Sequence, residues 1–332
     1  MSYEKRQLTK IVEEICNEKN FELKKYSDDW IMQINNNNGK NCFIFGYKFP
    51  NNNAAISRIC DDKAALASVL RDGNIPCVSH EYFEYPNSPM NGDGGIYTNL
   101  FDMLEKYGEL VCKTNSGSGG SSVYLVKTKK ELETAAFKIL GSTRAMAVSP
   151  KVDIQNEYRI IVENKRALLI YSKERPSVIG DGHSTVAELM TGMNVNKDDL
   201  IGSLNYNIVP SFGEKVTVAW KHNLGQGSLP VLVSDEQDIH RLAKFALDTA
   251  KFLNLDFASI DIVRDKQDNY KILEINSGIM MENFSKLSKD NYEIAKHIYK
   301  SAIQDYFGEN VVNQQKNIYE EISDKINAER EL

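Results

Sequence analysis

The stretch SIDIVRDKQDNYKILEIN, residues 259–276, decides how this chain is read. Two alternating apolar runs, Ser259 to Val263 and Tyr270 to Ile275, flank a short polar turn and predict a pair of strands. Side chains along a strand alternate sides, so Glu274 and Asn276 share one face while Ile275 points into the core. Asp261, on the paired strand, can face the same point. Two carboxylates and an amide oxygen are hard donors of the kind that suit Mg2+. Taken alone, the same pattern also describes a solvated sheet face.

Around these strands the elements alternate. A helix from Asp235 to Leu253 carries its apolar face on Ile239, Leu242, Phe245, Ala246, Thr249 and Phe252. Upstream, Glu157 to Glu163 and Arg166 to Tyr171 alternate as antiparallel strands, and Thr128 opens a helix to Leu140 with a capping-box spacing to Glu131. Near the start, residues 4–19 have helical spacing, Trp30 to Ile34 and Asn41 to Phe45 read as strands, and Asp61 or Asp62 caps a helix running to Asp72. The chain is helical from Tyr292 onward. Its last stretch, KNIYEEISDKINAEREL, has sparse apolar positions and reads as a solvated surface helix or a weak partner contact.

A second chemical feature is the loop TNSGSGGSS, residues 114–122, between strands Glu109 to Lys113 and Val123 to Val126. It lacks the GK[ST] ending of a P-loop and runs strand to strand, so Walker and Rossmann readings fail on context. Glycines with interleaved hydroxyls let backbone amides approach an anion, and Lys113 adds a positive charge at the loop's base. An ordinary flexible turn would look the same in isolation.

Bulk properties narrow the classes. At 332 residues, two or three subdomains around a cleft are expected. Mean hydropathy of -0.42 and short apolar runs argue against a membrane protein. A net charge of -6 argues against a nucleic-acid binder. Five cysteines without a CxxC pair indicate neither a zinc site nor a disulfide framework. The first residues lack the apolar region and cleavage site of a signal peptide, so a cytoplasmic location is expected.

In order, DDK (61–63), VCKTNSGSGGSSV (111–123), NEYRIIV (156–162), SIDIV and ILEIN resemble the ATP-grasp ligases over about residues 40 to 305. PSVIGDGHSTVAEL, residues 176–189, is similar to a segment of the branch holding cyanophycin synthetase and the ATP-grasp module of fused glutathione synthetases. The resemblance implies an α+β ATP-grasp fold, two α+β subdomains gripping ATP. It divides the chain into a reduced N-terminal domain (1–60), a linker helix and start of the ATP-grasp region (61–108), a small subdomain with the Gly-rich loop (109–172), a C-terminal subdomain with the metal site (173–308) and a helical tail (309–332).

The implied activity is ADP-forming ligation, in which an amino-acid or peptide carboxylate becomes an acyl phosphate that an amine attacks. Two other classes stay open: a ligase that modifies ribosomal peptides, and a non-catalytic ATP-binding regulator. The cofactors are ATP and Mg2+, with Mn2+ as a substitute; the partners are small-molecule or peptide substrates, and a homo-oligomer is allowed.

By the same resemblance Lys63 and Lys113 contact the nucleotide, Ser116, Gly117, Ser118, Gly119, Gly120, Ser121 and Ser122 cover its phosphates, and Lys151, Val152 and Asp153 flank the adenine. Glu157 meets the ribose. Asp261, Glu274 and Asn276 bind the metal, and Ser277, Gly278 and Glu282 border the acid substrate. WKHNLGQGS, residues 220–228, is similar to the family's basic phosphate segment and nominates Lys221 and Asn223. Pro150 stands where the family's hinge is usually acidic, and Ser259 where some relatives have arginine. The positive charge near the transferred phosphoryl must then come from Arg159, Arg175 or Lys221.

Overall fold

The protein is described by a computed structural model covering residues 5–89, 95–117, 122–309 and 316–331. Helix α1 (Gln7–Lys19) and strands β1 (Glu22–Tyr26), β2 (Ile31–Asn35) and β3 (Asn41–Phe45) open the chain, the strands forming an antiparallel sheet in that order. Period-two burial turns Met32, Ile34, Cys42 and Ile44 inward, into one core with Leu8, Ile11, Val12 and Ile15 of α1.

After the Asn-rich loop the structure adds a helix ahead of Lys63, because Asn53 caps α2 (Ala54–Asp61) by accepting the amide of Ile56. Asp62 then breaks the helix with extended backbone and caps α3 (Lys63–Asp72), accepting the amide of Ala65 at 2.8 Å. That break puts Lys63 at the first position of α3.

A lobe with its own core comprises β4 (Glu81–Glu84), α4 (Gly95–Tyr107), β5 (Leu110–Thr114), β6 (Val123–Val126), α5 (Lys129–Leu140) and β7 (Ala145–Pro150), its sheet ordered β4-β7-β5-β6. The expected capping box is present, with Thr128 and Glu131 each bonded to the other's backbone amide.

The larger sheet begins with β8 (Ile154–Glu163) and β9 (Arg166–Glu174). Next come β10 (Ser177–Ile179), α6 (Val186–Leu189) and β11 (Lys215–Thr217), which form a small side unit around Val178, Val186 and Val218. The GDG motif turns its corner: a Cβ on Gly180 would sit 2.1 Å from the carbonyl oxygen of Ser211, and Gly182 has a φ of +77°. Between them Asp181 accepts the amides of His183 and Ser184, which hold its carboxyl down at about 2.

β12 (Leu229–Leu232), helix α7 (Glu236–Leu253), β13 (Phe257–Asp265) and β14 (Tyr270–Asn276) complete the five-stranded sheet β12-β9-β8-β13-β14. The change from one sheet to the other falls at residues 151–153, whereas the expected boundary at 172 lies inside β9. α8 (Glu282–Ser285), α9 (Lys289–Phe307) and α10 (Ile318–Glu331) close the chain.

Two expectations are corrected by packing. Phe252, placed on the apolar face of α7, is 48% exposed and lies against Gly73, while Ala243, Leu247 and Ala250 are buried in its stead. The terminal helix is no solvated surface element: Tyr319, Ile322, Ser323 and Ile326 of α10 are buried, and Ala167 donates its amide to the Ser323 hydroxyl at 2.9 Å.

Candidate active site

Asn115 fixes where the glycine-rich loop starts. It is buried, its carbonyl accepts the amide of Lys63 at 3.1 Å, and its side-chain oxygen accepts the amide of Ala64 at 3.2 Å. The loop thereby satisfies two amides that the first turn of α3 leaves unpaired. Lys63 donates to the carbonyl of Gly117 at 2.9 Å, and Ser116 bridges Asp62. Ser122 opens the return toward β6, whereas Ser118, Gly119, Gly120 and Ser121 lie outside the described residues.

From β5, Lys113 enters the same space. Burial pulls its ammonium down to about 8, against the opposing pull of Glu274, Glu157 and Asp261. Lys63 is pulled down by burial too, and Glu274 again leads the acids that resist the fall. Beside the two lysines sits His80, 3% exposed, whose pKa burial and the neighbouring cations hold well below the ordinary value.

The larger sheet supplies the opposite wall. Its register sets Asp261 across from Arg159 on β8 and from Glu274 on β14, with Ser259 across from Asn276. Cross-strand partners share a face, so the acids and the amide line one side of the sheet. Asp261 is fully buried. Arg159 grips it through Nε to Oδ1 and Nη2 to Oδ2, both 2.7 Å, and Lys173 donates to Oδ2 at 2.7 Å while also reaching Glu157 Oε1 at 2.7 Å. Burial would raise the Asp261 carboxyl, but the two cations hold it well below the usual carboxylate range. Asn276 turns its amide nitrogen toward Glu274 Oε1 at 3.4 Å, which leaves its carbonyl oxygen as a donor for a cation.

This donor set fits a hard divalent cation: two carboxylates and an amide oxygen on neighbouring strands. Among the described residues, no group of three or more His, Cys, Asp or Glu side chains is placed to hold a metal ion.

The remaining nominated residues divide. Lys151, Val152 and Asp153 form the connection between the two sheets, with the Lys151 ammonium on Glu109 at 2.9 Å and Asp153 paired to Lys266 at 2.7 Å. His222 Nδ1 lies 2.6 Å from the Lys173 carbonyl oxygen, which ties the 220–228 segment to the end of β9. Within that segment Lys221 is engaged by Asp199 at 2.7 Å, and Asn223 turns its side-chain oxygen back to the amide of Gly225 at 2.9 Å. Arg175 is half-buried just beyond β9. Ser277 is buried, and Gly278 bridges Lys48, leaving 3.2 Å between an added Cβ and the Lys48 Cγ.

Glu282 departs from expectation. Its two oxygens accept the amides of Gln7 and Leu8, at 2.8 and 3.1 Å, and so serve as the missing cap of α1 instead of bordering a substrate. Met281 packs in the core, whereas Met280 is 40% exposed.

Lys173 is the residue that sequence reasoning missed. A signal existed: it is a lysine in the apolar run of β9, two residues past Tyr171, which pairs with Arg159. That spacing puts it on the face of Glu157 and Arg159.

Comparison with known proteins agrees with this architecture. No protein-family model matches the chain. It is 28% identical over 256 residues to the glutathione biosynthesis bifunctional protein of Clostridium perfringens, covering 66% of this chain and 30% of that protein. It is 24% identical over 249 residues to the cyanophycin synthetase of Synechocystis, covering 67% of this chain and 27% of that protein. The chain thus spans less than a third of either relative. Among solved structures, the D-alanine–D-alanine ligase of Bacillus anthracis superposes with a TM-score of 0.51 at 18% identity, over 78% of this chain and 72% of that one. The chain thus shares the fold of this ligase.

Proposed function

We propose that the protein is an ADP-forming carboxylate–amine ligase that phosphorylates the carboxylate of an amino acid or peptide with ATP and joins the acyl group to an amine. One observation supports the reading: Lys113 of β5 and Lys63 of α3 lie within electrostatic reach of Glu274, which the β13–β14 register sets across from Asp261.

A carboxylate is a poor electrophile and ATP is a multiply charged anion, so the enzyme's task is to align anions and neutralise their repulsion. Lys63 and Lys113 bind the phosphates, the loop after Thr114 covers them, and Glu157 with residues 151–153 meets the nucleoside. Asp261, Glu274 and Asn276 hold Mg2+, for which Mn2+ can substitute; the ion supplies further neutralisation of the phosphate oxygens. The acyl phosphate forms on the substrate, so no protein nucleophile is required. The reaction runs in the cytoplasm.

The test is ADP release with amino acids and dipeptides offered pairwise, with hydroxylamine added to trap the acyl phosphate. Hydroxamate identifies the acid, and absence of ADP with every pair speaks against the reading. Glu274→Gln should lower ADP release by about a hundredfold, roughly 3 kcal/mol of transition-state stabilisation, with little change in melting temperature.

A further inference from the structure

Asp261 presents a conflict. As a metal ligand it must offer an oxygen to a cation, yet it is 0% exposed and three donors, Arg159 Nε, Arg159 Nη2 and Lys173 Nζ, already sit 2.7 Å from its two oxygens. Oδ2 is the crowded oxygen, shared by Arg159 and Lys173. The guanidinium is planar and grips both oxygens at once, so it is held in register across β8 and β13. The ammonium is a point charge on a flexible stem, and it already divides itself between Asp261 and Glu157. Lys173 is therefore the partner that can leave.

The charge balance of the cleft points the same way. Among the buried charges here, Lys63, Lys113 and Lys173 outnumber Glu157 and Asp261, while Glu274, Asp61 and Asp62 are only half-buried. Such a site attracts an anion and resists a bare divalent cation, which would add two charges to an existing excess. Nucleotide phosphates reverse that balance and offer Lys173 a new partner.

Building on the ligase reading, we propose that Lys173 is the exchangeable counter-cation of Asp261: it neutralises this carboxylate in the nucleotide-free protein and passes to the phosphate oxygens when metal and nucleotide enter. Lys173 then supplies the positive charge near the transferred phosphoryl, while Arg159 keeps Asp261 in place. Metal and nucleotide consequently bind together, and the metal binds poorly alone.

The experiment titrates Mn2+ in the absence and presence of ADP and follows free Mn2+ by its electron paramagnetic resonance signal, so no turnover is needed. Wild type should bind Mn2+ weakly alone and tightly with ADP. Lys173→Met should bind Mn2+ alone at least about tenfold more tightly than wild type, because a competing charge at contact distance is gone. It should also lose affinity for metal-free ADP, and Lys173→Arg should restore the wild-type dependence. A purely structural Lys173 would give the opposite sign, with Mn2+ affinity unchanged or weakened in Lys173→Met, and that result overturns the exchange. If Lys173→Met does not fold, Glu157→Gln combined with Lys173→Met removes both members of that pair, and the same Mn2+ comparison decides. Failure of wild type to bind ADP under any condition removes the ligase reading itself; binding of ADP with unaltered Mn2+ affinity in the variant removes only the exchange.

Discussion

Strands β8 and β9 carry a buried ion network at each end, and the two differ in sign. At the cleft end, Glu157, Arg159, Lys173 and Asp261 form a group that Lys63 and Lys113 tip toward positive charge. At the far end, Arg166 bonds Glu163 at 2.7 Å and Glu320 of α10 at 3.2 Å, so one cation serves two carboxylates. Ser301 of α9 adds its hydroxyl to Glu163 at 2.6 Å, and the second oxygen of Glu163 is buried without a partner. Both networks are buried and well bonded, which by itself says little about function. The sign of the surplus separates them. A surplus of cations awaits an anion, whereas a surplus of carboxylates can be settled by a proton, and the second network fastens a terminal helix.

The contrast makes opposite predictions for charge removal. In the cleft network the carboxylate is indispensable, because Asp261→Asn leaves a buried guanidinium uncompensated. Its cost should be about 3–5 kcal/mol in urea unfolding, against about 1–2 kcal/mol for Lys173→Met, which removes a charge of the surplus kind. Equal costs for the two variants would break the comparison.

At the far end the readout is pH. Burial raises the Glu163 carboxyl to about 7, and Asp305 adds to the rise while Ser301 and Arg166 resist it. The folded chain therefore holds a proton that the unfolded chain releases near pH 4.5. The stabilisation is complete below that value and is lost as pH rises through about 7. Other carboxylates titrate in the same window, so the difference between variant and wild type is the quantity to follow. Glu163→Gln cannot lose this proton and should gain on wild type by on the order of 2 kcal/mol between pH 5 and 7.5. A pH-independent difference would show that Arg166 keeps Glu163 ionised throughout.

How much of this was legible in the sequence depends on whether a position answers to local pattern or to a distant partner. The shared face of Glu274 and Asn276 was legible because strand parity alone aligns them, and the capping box at Thr128 because its spacing is local. Helix α10 was misread since its apolar positions are few; the docking depends on Arg166 and Ala167, some 150 residues earlier in the chain. Glu282 looked like a substrate ligand beside the metal strand, and only the folded chain brings it to the start of α1. Lys173 shows the limit most clearly, because a lysine in an apolar strand signals a buried partner without saying which.

Lys113 allows the finest test, since it lies in the cationic surplus and titrates within reach. Burial holds its ammonium down at about 8, so in the folded chain it is charged below that pH and neutral above it. For stability the sign is plain: the unfolded chain keeps this proton up to the ordinary lysine value, so the fold gains as pH climbs above about 8. For an anion the sign reverses, because the nucleotide prefers the charged form. ADP affinity, measured by calorimetry with metal present, should be flat from pH 6.5 to 7.5 and then fall by about tenfold per pH unit above 8. Lys113→Arg, which stays charged, should abolish that fall. A decline that persists in the arginine variant would assign the titration to another group, and the surplus that distinguishes the cleft from the far network would no longer include Lys113.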